Sequence, residues 1–591
     1  MSSIDTTIQP LPEETVIEPV PESLTVAPTG VRLERLAWSA LVAGSCLLAA
    51  LVATWPLATT LLTAVPLGTE RESTVPLLNI WTLWWNADRL AEGFAHYWDA
   101  PFFFPFEGVF TYSEPQTLIG LAVAPLWAVS APPALIYNLA VLGMLTLNGI
   151  FAYRLARALY VPRLPALLAG LLTVTLPFLA NMSGVSHLLP IFGLLWTLDG
   201  LVRFGESGAT RHAVWAALGF MAAYLTSQQY ALMFAPFALA AGVLALSQQR
   251  FKAQSALRLG LAGLGAALVV LSIALPVFSL HRELGFVRSD FVVERLSARA
   301  GDFLTRPANA WLDFPGRNGE DTAGLFPGLL LLGLALAGGF VGRTNPKQRA
   351  WTAYLLLGAL TATLLAMGLN LEILGWRPFE TLRSVIPGLA ELRSPFRYTT
   401  IMQLMLPILA GMALARMSLR LARTGTLAIA LLAIIAAAEN LSVPAALAQI
   451  PVSPRAGWTD WLLAQPPQTV VAHVPFPGGT RVSDYEVEGR RLLAQMEHGK
   501  FITNGYSGYF PPGYTEFQLD MAKRFPERDL LCELQRGLEV DTLVVDQSWL
   551  ATHSAQMRKI EEYLTPAYND AQVQIYRILL PDSACAQGNE P

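Results

Sequence analysis

The feature that most constrains this chain is the recurrence of apolar runs long enough to cross a bilayer. Leu36–Val65, Leu135–Leu159, Leu257–Leu280 and Gly324–Val341 reach the roughly 18 residues that a spanning helix requires. Composition agrees, with 53% of residues hydrophobic and 14% charged, against roughly 45–50% and about 25% in soluble domains. A wholly soluble protein is excluded, and the expected fold class is an all-α polytopic membrane bundle. The net charge of −4 and the lack of a long basic run argue against a nucleic-acid partner. Cys46, Cys532 and Cys585 are too few for a zinc cluster or a disulfide framework; at most Cys532 and Cys585 pair, and only in an oxidising compartment.

Residues 1–33 carry Asp5, Glu13, Glu14, Glu18, Glu22 and several prolines, with no Lys or Arg before Arg32, and are expected to be a disordered cytosolic tail. The apolar run behind this acidic tail is too long for a signal core and is expected to be a retained helix. Lys and Arg in short loops then set the orientation. Leu118–Ala131 is short and contains Pro125, which suits an interfacial helix better than a span. On that reading Arg154, Arg157, Arg163, Arg203, Arg211, Arg250, Lys252, Arg258, Arg343, Lys347, Arg349, Arg416, Arg420 and Arg423 all fall inside. The alternate loops Asn181–His187 and Thr226–Tyr230 hold no Lys or Arg. About eleven transmembrane helices follow, near 36–63, 134–158, 164–181, 188–203, 212–227, 230–247, 257–280, 324–342, 350–369, 399–416 and 424–442. A membrane domain 34–442 thus carries outer loops 64–133, 281–323 and 370–398.

Beyond Leu441 the pattern changes. Thr469–Phe476 and Asp541–Val545 read as buried strands and Val573–Leu580 alternates, while Trp458–Leu463, Leu530–Arg536 and Gln556–Leu564 suggest helices. Residues 443–591 are expected to form a C-terminal extracytoplasmic α/β domain. The sequence has no phosphate-cradling Gly-rich loop, no nucleophile elbow and no His-Glu-x-x-His motif, so cytosolic nucleotide hydrolysis is not expected.

The first outer loop concentrates aromatic and acidic residues: Val75-Pro-Leu-Leu-Asn-Ile-Trp-Thr-Leu-Trp-Trp-Asn86, Tyr97-Trp-Asp-Ala-Pro-Phe-Phe-Phe-Pro-Phe106 and Thr111-Tyr-Ser-Glu-Pro115. Rings such as Trp81 serve either as interfacial anchors or as substrate contacts. Glu72, Asp88, Asp99 and Glu114 lie beside them, where poor solvation raises a carboxylate toward general-base strength; hydrogen bonding or helix capping explains each equally well. Together with His187 at a helix opening, Glu320 to Gly328 with its Leu-Phe-Pro-Gly, Leu392-Arg-Ser-Pro-Phe-Arg397 and His498-Gly-Lys-x-Ile-x-Asn-Gly-Tyr-Ser507, these segments resemble bacterial multi-pass proteins of the GT-C glycosyltransferase superfamily. These are relatives of the aminoarabinose and protein mannosyl transferases.

The resemblance runs from about residue 70 to 580. It implies a lipid-linked sugar donor of the polyprenyl-phosphate type, an outward-facing site in the inner (cytoplasmic) membrane, and an acid in the first outer loop as general base. The acceptor would be an envelope polysaccharide, lipid or protein. Related sequences place Gly-Asp-Pro before the Leu-Leu-Asn-Ile-Trp segment, whereas this chain reads Thr74-Val75-Pro76, so Val75 occupies the Asp position. The remaining candidate bases are Asp99, flanked by Trp98 and Phe102–Phe104, then Glu72, then Glu114. A catalytically silent assembly component also fits the loss. A transporter fits less well, since the chain has almost no mid-span charge and no visible halves.

Sugar transfer from a lipid phosphate also needs cations for the departing phosphate. Arg393 and Arg397, four residues apart, would share a helix face, and Arg282, Arg288, Arg295 and Arg299 form a second cluster, unless paired with Glu283, Asp290, Glu294, Asp302 or membrane lipids. His187 is a candidate substrate contact, the Thr226-Ser-Gln-Gln-Tyr230 turn, with Tyr230, a candidate lining of the sugar pocket, and His498, Asn504, Tyr506 and Tyr514 candidate acceptor contacts; each also suits a purely structural role. Asp199 is expected to pair with Arg203. No metal-ligand cluster is legible, and a divalent ion stays open.

Overall fold

The apolar runs resolve into helices. The computed structural model describes residues 29–308, 310–318, 322, 324–386, 388–420, 422–453, 455–581 and 585; the acidic tail before residue 29 and Glu320 lie outside the described residues. Of the unit 1–42 the described part is the start of α1, and residues 43–591 make a second unit. In chain order the helices to Glu439 are α1 (Thr29–Ala53), α2 (Thr74–Ala91), α3 (Thr117–Ala128), α4 (Pro133–Ala158), α5 (Arg163–Val174), α6 (Pro177–Asn181), α7 (Phe192–Ser207), α8 (Thr210–Thr226), α9 (Gln228–Gln248), α10 (Ala253–Glu283), α11 (Asp290–Arg295), α12 (Leu329–Thr344), α13 (Arg349–Ala366), α14 (Pro378–Val385), α15 (Thr399–Arg420) and α16 (Ala422–Glu439).

Among the described residues, eight segments are long and apolar enough to cross a membrane: Leu33–Ala53, Pro133–Ala158, Arg163–Asn181, Ser186–Ser207, Gln228–Gln248, Ala253–Glu283, Arg349–Ala366 and Pro395–Arg420. Three shorter apolar helices join them, α3, α12 and Thr424–Glu439. Each of the eleven expected spans carries a helix, but the one at 212–227, α8, is in neither group, and α3, expected to be interfacial, is among the shorter ones. Boundaries differ where proline intervenes. The first helix ends at Ala53 rather than near residue 63, because Pro56 offers no N–H to continue it, and Pro177 splits 163–181 into α5 and α6.

Small residues let the helices close up. A Cβ on Gly200 of α7 would lie 2.6 Å from Ala216 Cα of α8, and one on Gly338 of α12 would overlap the Leu409 carbonyl of α15, the small-residue contact typical of helices in lipid. Polar contacts sort the loops to two ends. At one end Asp199 binds Arg203 at 2.8 Å as expected, and also Arg154 at 3.4 Å and Trp215. There too Arg258 reaches the Gly208 carbonyl and Gln348 the Leu159 carbonyl. The other end gathers 64–133, 181–191, 226–230, 281–323 and 370–398. There β1 (Ala64–Pro66) and the short parallel pair β2 (Arg306–Pro307) and β3 (Arg317–Asn318) occur. Arg306 is buried against Glu439, whose carboxylate accepts the Leu329 and Leu330 N–H groups and so caps α12.

After β4 (Leu447–Gln449), antiparallel to β1, the chain builds a lobe on a five-stranded sheet ordered β6-β5-β7-β9-β8. Here β5 is Val470–Val474, β6 Phe501–Ile502, β7 Thr542–Asp546, β8 Leu564–Asn569 and β9 Val573–Ile578. Parallel β5 and β7 are buried on both faces, which explains their continuous apolar runs. Around them lie α17 (Gly457–Leu463), α18 (Glu486–His498), α19 (Tyr514–Arg524), α20 (Arg528–Cys532) and α21 (Gln547–Met557). The helix expected over 556–564 lies earlier, at α21, because Leu564 onward is the edge strand that pairs with β9. Cys532 and Cys585 are disulfide-bonded, with Cα atoms 5.8 Å apart, and Cys46 is buried and free.

Candidate functional site

A cavity of about 1490 Å³, its open mouth included, lies between the loop-rich end of the bundle and the lobe. Its apolar wall is Leu232 of α9 with Ala274, Val277 and Phe278 of α10. Phe278 is 40% exposed and Leu275 beside it 60%, so this wall continues into the lipid-facing surface of α10. The polar wall holds Glu70, Glu114, His187, Gln228, Gln229, Arg288, Glu391, Arg393 and Arg397, with Val75 and Asn79 of α2.

Local structure fixes these groups. Glu114 accepts the Gln228 and Gln229 N–H groups, both at 2.8 Å, and thereby caps α9; Ser227 adds its hydroxyl to the Tyr230 N–H. Burial pushes the Glu114 carboxyl above its ordinary range, opposed by those two N–H groups and by Arg397. Arg397 donates Nη1 to Gln229 Oε1 at 2.6 Å, while its Nε is buried without a partner. Glu70 packs against the 183–185 turn, its Cγ 3.1 Å from where a Cβ on Gly184 would lie, and its charge is felt by Arg397. On the lobe side His281 donates Nε2–H to the Thr111 carbonyl at 2.8 Å, and its Nδ1 is 2.6 Å from Glu391 Oε2.

Five residues that line the cavity each hold a buried nitrogen without a hydrogen-bond partner: Asn79 Nδ2, His187 Nδ1, Gln228 Nε2, Arg288 Nε and Arg397 Nε. Except for His187 Nδ1, whose role follows its tautomer, all are obligatory donors. A site edged by unsatisfied donors suits a ligand rich in oxygen acceptors, as sugars and phosphates are.

The sequence-predicted residues divide. Glu114, His187, Arg393 and Arg397 meet in this cavity. The shared helix face expected for the two arginines does not form, because Pro395 opens a 3-10 turn at Pro395–Tyr398 and α15 begins only at Thr399; both nevertheless line the cavity. Asp99 is elsewhere, in a smaller recess with Phe94, His96, Trp98 and Ser272. Its side chain is 45% exposed and accepts the Gly108 N–H at 3.0 Å, so the poor solvation expected of it is not met. Glu72 is exposed and outside the cavity lining. Trp81 is fully buried, stacked on Trp85 with centroids 5.4 Å apart, and donates Nε1 to Gln495 Oε1 at 2.8 Å. It joins α2 to α18 and does not reach the cavity. Tyr230 places its hydroxyl between the Leu188 carbonyl and Thr400 Oγ1, at 2.9 and 2.8 Å, inside the helix packing.

Sequence reasoning missed Glu70, His281, Glu391 and Tyr509 as cavity residues. Glu391 adjoins the Leu392-Arg393 segment, and that adjacency was the available signal. No group of three or more His, Cys, Asp or Glu able to hold a metal ion occurs among the described residues.

No family model matches the chain, and no curated protein matches it by sequence. Solved structures do. The cryo-EM structure of the arabinofuranosyltransferase AftD from Mycobacteria aligns with a TM-score of 0.58 and 17% identity over 92% of this chain. A variant of AftD, class 1, aligns at 0.53 and 18% over 92%. The chain has the GT-C fold. It spans 40% of the length of AftD. The apo oligosaccharyltransferase of Archaeoglobus fulgidus aligns at 0.47 and 14%, over 94% of this chain and 75% of that one.

Proposed function

We propose that the chain is an integral membrane glycosyltransferase that moves a sugar from a polyprenyl-phosphate donor to an envelope acceptor on the outer face. The observation that carries this reading is the cavity's two walls: apolar α9 and α10 residues open to lipid on one side, and Arg393, Arg397, Glu70 and Glu114 on the other. A lipid phosphate needs both. Its chain would leave along Leu232, Val277 and Phe278, and its phosphate would meet the unpartnered Nε of Arg397. Outer-face placement is supported by the Cys532–Cys585 pair, which needs an oxidising compartment, and by the basic residues at the opposite end.

In the transfer, an acceptor hydroxyl attacks the anomeric carbon, the carbon–oxygen bond to the phosphate breaks, and a carboxylate takes the hydroxyl proton. Glu70 and Glu114 are the acids placed for this. Both oxygens of Glu114 are spent capping α9, which makes it the group that holds Gln229 and, through it, Arg397. We assign Glu70, which lines the same cavity as Val75, as the base that replaces the missing Asp. The guanidinium of Arg397 stabilises the charge left on the phosphate.

The test is transfer from a panel of undecaprenyl-phosphate-linked sugars by the full chain in lipid nanodiscs, with undecaprenyl phosphate binding measured alongside. Arg397→Gln should weaken that binding while Arg377→Gln, whose arginine pairs with Glu372 at 3.6 Å away from the cavity, leaves it unchanged. Equal small effects at both positions refute the site. Donor binding without transfer by the unmodified chain would favour the silent-component reading.

A further inference from the structure

The proposed transfer uses one of the cavity's two cationic places, and the role of the second rests on that transfer. Arg288 comes from the loop after α10 and is held by the lobe. Its Nη2 donates to the Gly508 carbonyl at 2.6 Å, and its guanidinium lies 3.6 Å from the Tyr509 ring centroid. Tyr509 is itself fixed, stacked on Phe286 at 4.4 Å and 2° and donating its hydroxyl to the Glu391 carbonyl. The guanidinium plane is therefore set by a ring and a carbonyl, and its buried Nε is left without a partner.

Arg393 is within electrostatic reach of both Arg288 and Arg397. Burial, with Arg393 adding to it, lowers the Arg288 pKa from its ordinary value, against the pull of Tyr509 and Glu391. Glu391 is the nearby carboxylate, and one of its oxygens is taken by His281. The guanidinium of Arg288, a residue that lines the cavity, is thus held as a fixed planar fork with one N–H unpartnered.

The two cationic places differ in what surrounds them. Arg397 is bonded to Gln229, three residues before Leu232 of the apolar wall, which is where a lipid phosphate belongs. Arg288 is bounded by Gly508 and Tyr509 of the lobe. We propose that Arg288 seats an oxyanion carried by the acceptor, so that the cavity takes an acidic glycan, bearing a carboxylate or a phosphate ester, opposite the lipid phosphate held by Arg397. A rigid, stacked guanidinium is the side chain suited to such groups.

The experiment measures binding to the full chain in nanodiscs of four probes: undecaprenyl phosphate, a glucuronate-containing disaccharide, its carboxyl-reduced neutral counterpart, and glucose 6-phosphate. At least one acidic glycan probe should bind about tenfold or more tighter than the neutral disaccharide, as a charge-assisted hydrogen bond implies. Which of the two does so distinguishes carboxylate from phosphate. Arg288→Gln should abolish that preference and leave undecaprenyl phosphate binding unchanged, while Arg397→Gln should do the reverse. Arg288→Lys, which keeps the charge but not the fork, should retain part of the preference and guards against a folding defect in Arg288→Gln. The proposal is overturned if neither acidic probe outbinds the neutral one while undecaprenyl phosphate still binds, or if Arg288→Gln instead weakens undecaprenyl phosphate. Failure of undecaprenyl phosphate to bind the unmodified chain refutes the donor reading instead, whatever the glycan probes do.

Discussion

Two recesses border α10, and each contains a first-loop acid beside aromatic rings. In the larger one Glu114 and Glu70 converge with Arg393, Arg397 and His187, residues drawn from four separate segments. In the smaller one Asp99 stands among Phe94, His96 and Trp98 with its side chain 45% exposed and bound to a neighbouring N–H. Local sequence makes the two look alike. What separates them is convergence: partners brought from far along the chain create poorly solvated, oppositely charged surroundings, whereas adjacent rings leave Asp99 in water. A third acid sharpens the contrast. Glu488 of α18 is fully buried, pairs with Arg491 at 2.9 Å and Asn504 at 3.1 Å, and lines neither recess. Burial alone makes an acid part of the core and not of a site.

The comparison breaks most sharply at Glu70. Glu70→Gln should cut sugar transfer by roughly 10²–10⁴-fold, the usual cost of losing a general base, with donor binding retained; a steady-state assay that finds full activity would return the base to another acid. Next is Arg397→Gln, which should weaken undecaprenyl phosphate binding by roughly 10–150-fold, since a hydrogen bond to a charged group contributes about 1.5–3 kcal/mol.

Glu488 gives a smaller, pH-dependent effect. Burial raises its carboxyl above the ordinary value of 4.5, with Arg491 opposing. The folded chain therefore holds this proton more tightly than the unfolded chain. The contribution is complete below about 4.5 and is lost as pH rises through the folded value, at no more than about 1.4 kcal/mol per pH unit. Thermal unfolding of the full chain followed by tryptophan fluorescence should show a decline over that window which Glu488→Gln flattens. Smallest is Asp99→Asn, which should change transfer by no more than about twofold, as exposed substitutions do; a collapse there would move the site to the smaller recess.

Much of the scaffold was legible because apolar length and the Arg-rich or Arg-free alternation of loops are local signals. The buried strands at 470–474 and 542–546 were equally plain. Arg397, Arg393, His187 and Glu114, each in a short motif or at a helix end, were named from the sequence and line one cavity. Glu70 was not, since the acid flanked by most rings, Asp99, drew the inference. Those rings pack on each other and on the lobe: Trp81 on Trp85 and Phe102, Phe103 on Tyr514. Nothing near residue 81 announces Gln495, and nothing near residue 288 announces Tyr509. Contacts of that separation carry no periodic signature.

The Trp81–Gln495 bond spans 414 residues, and this sets a schedule for biosynthesis. At roughly 5–20 residues per second, the partner of Trp81 emerges some 20–80 s after Trp81 itself. During that interval α2 and its aromatic rings lack the surface they will bury, and α18 cannot yet cover them. The first long loop therefore depends on the membrane surface or a chaperone for the time it takes to make the rest of the chain. A product truncated near residue 440 would carry the bundle helices but leave those rings permanently uncovered and prone to aggregate.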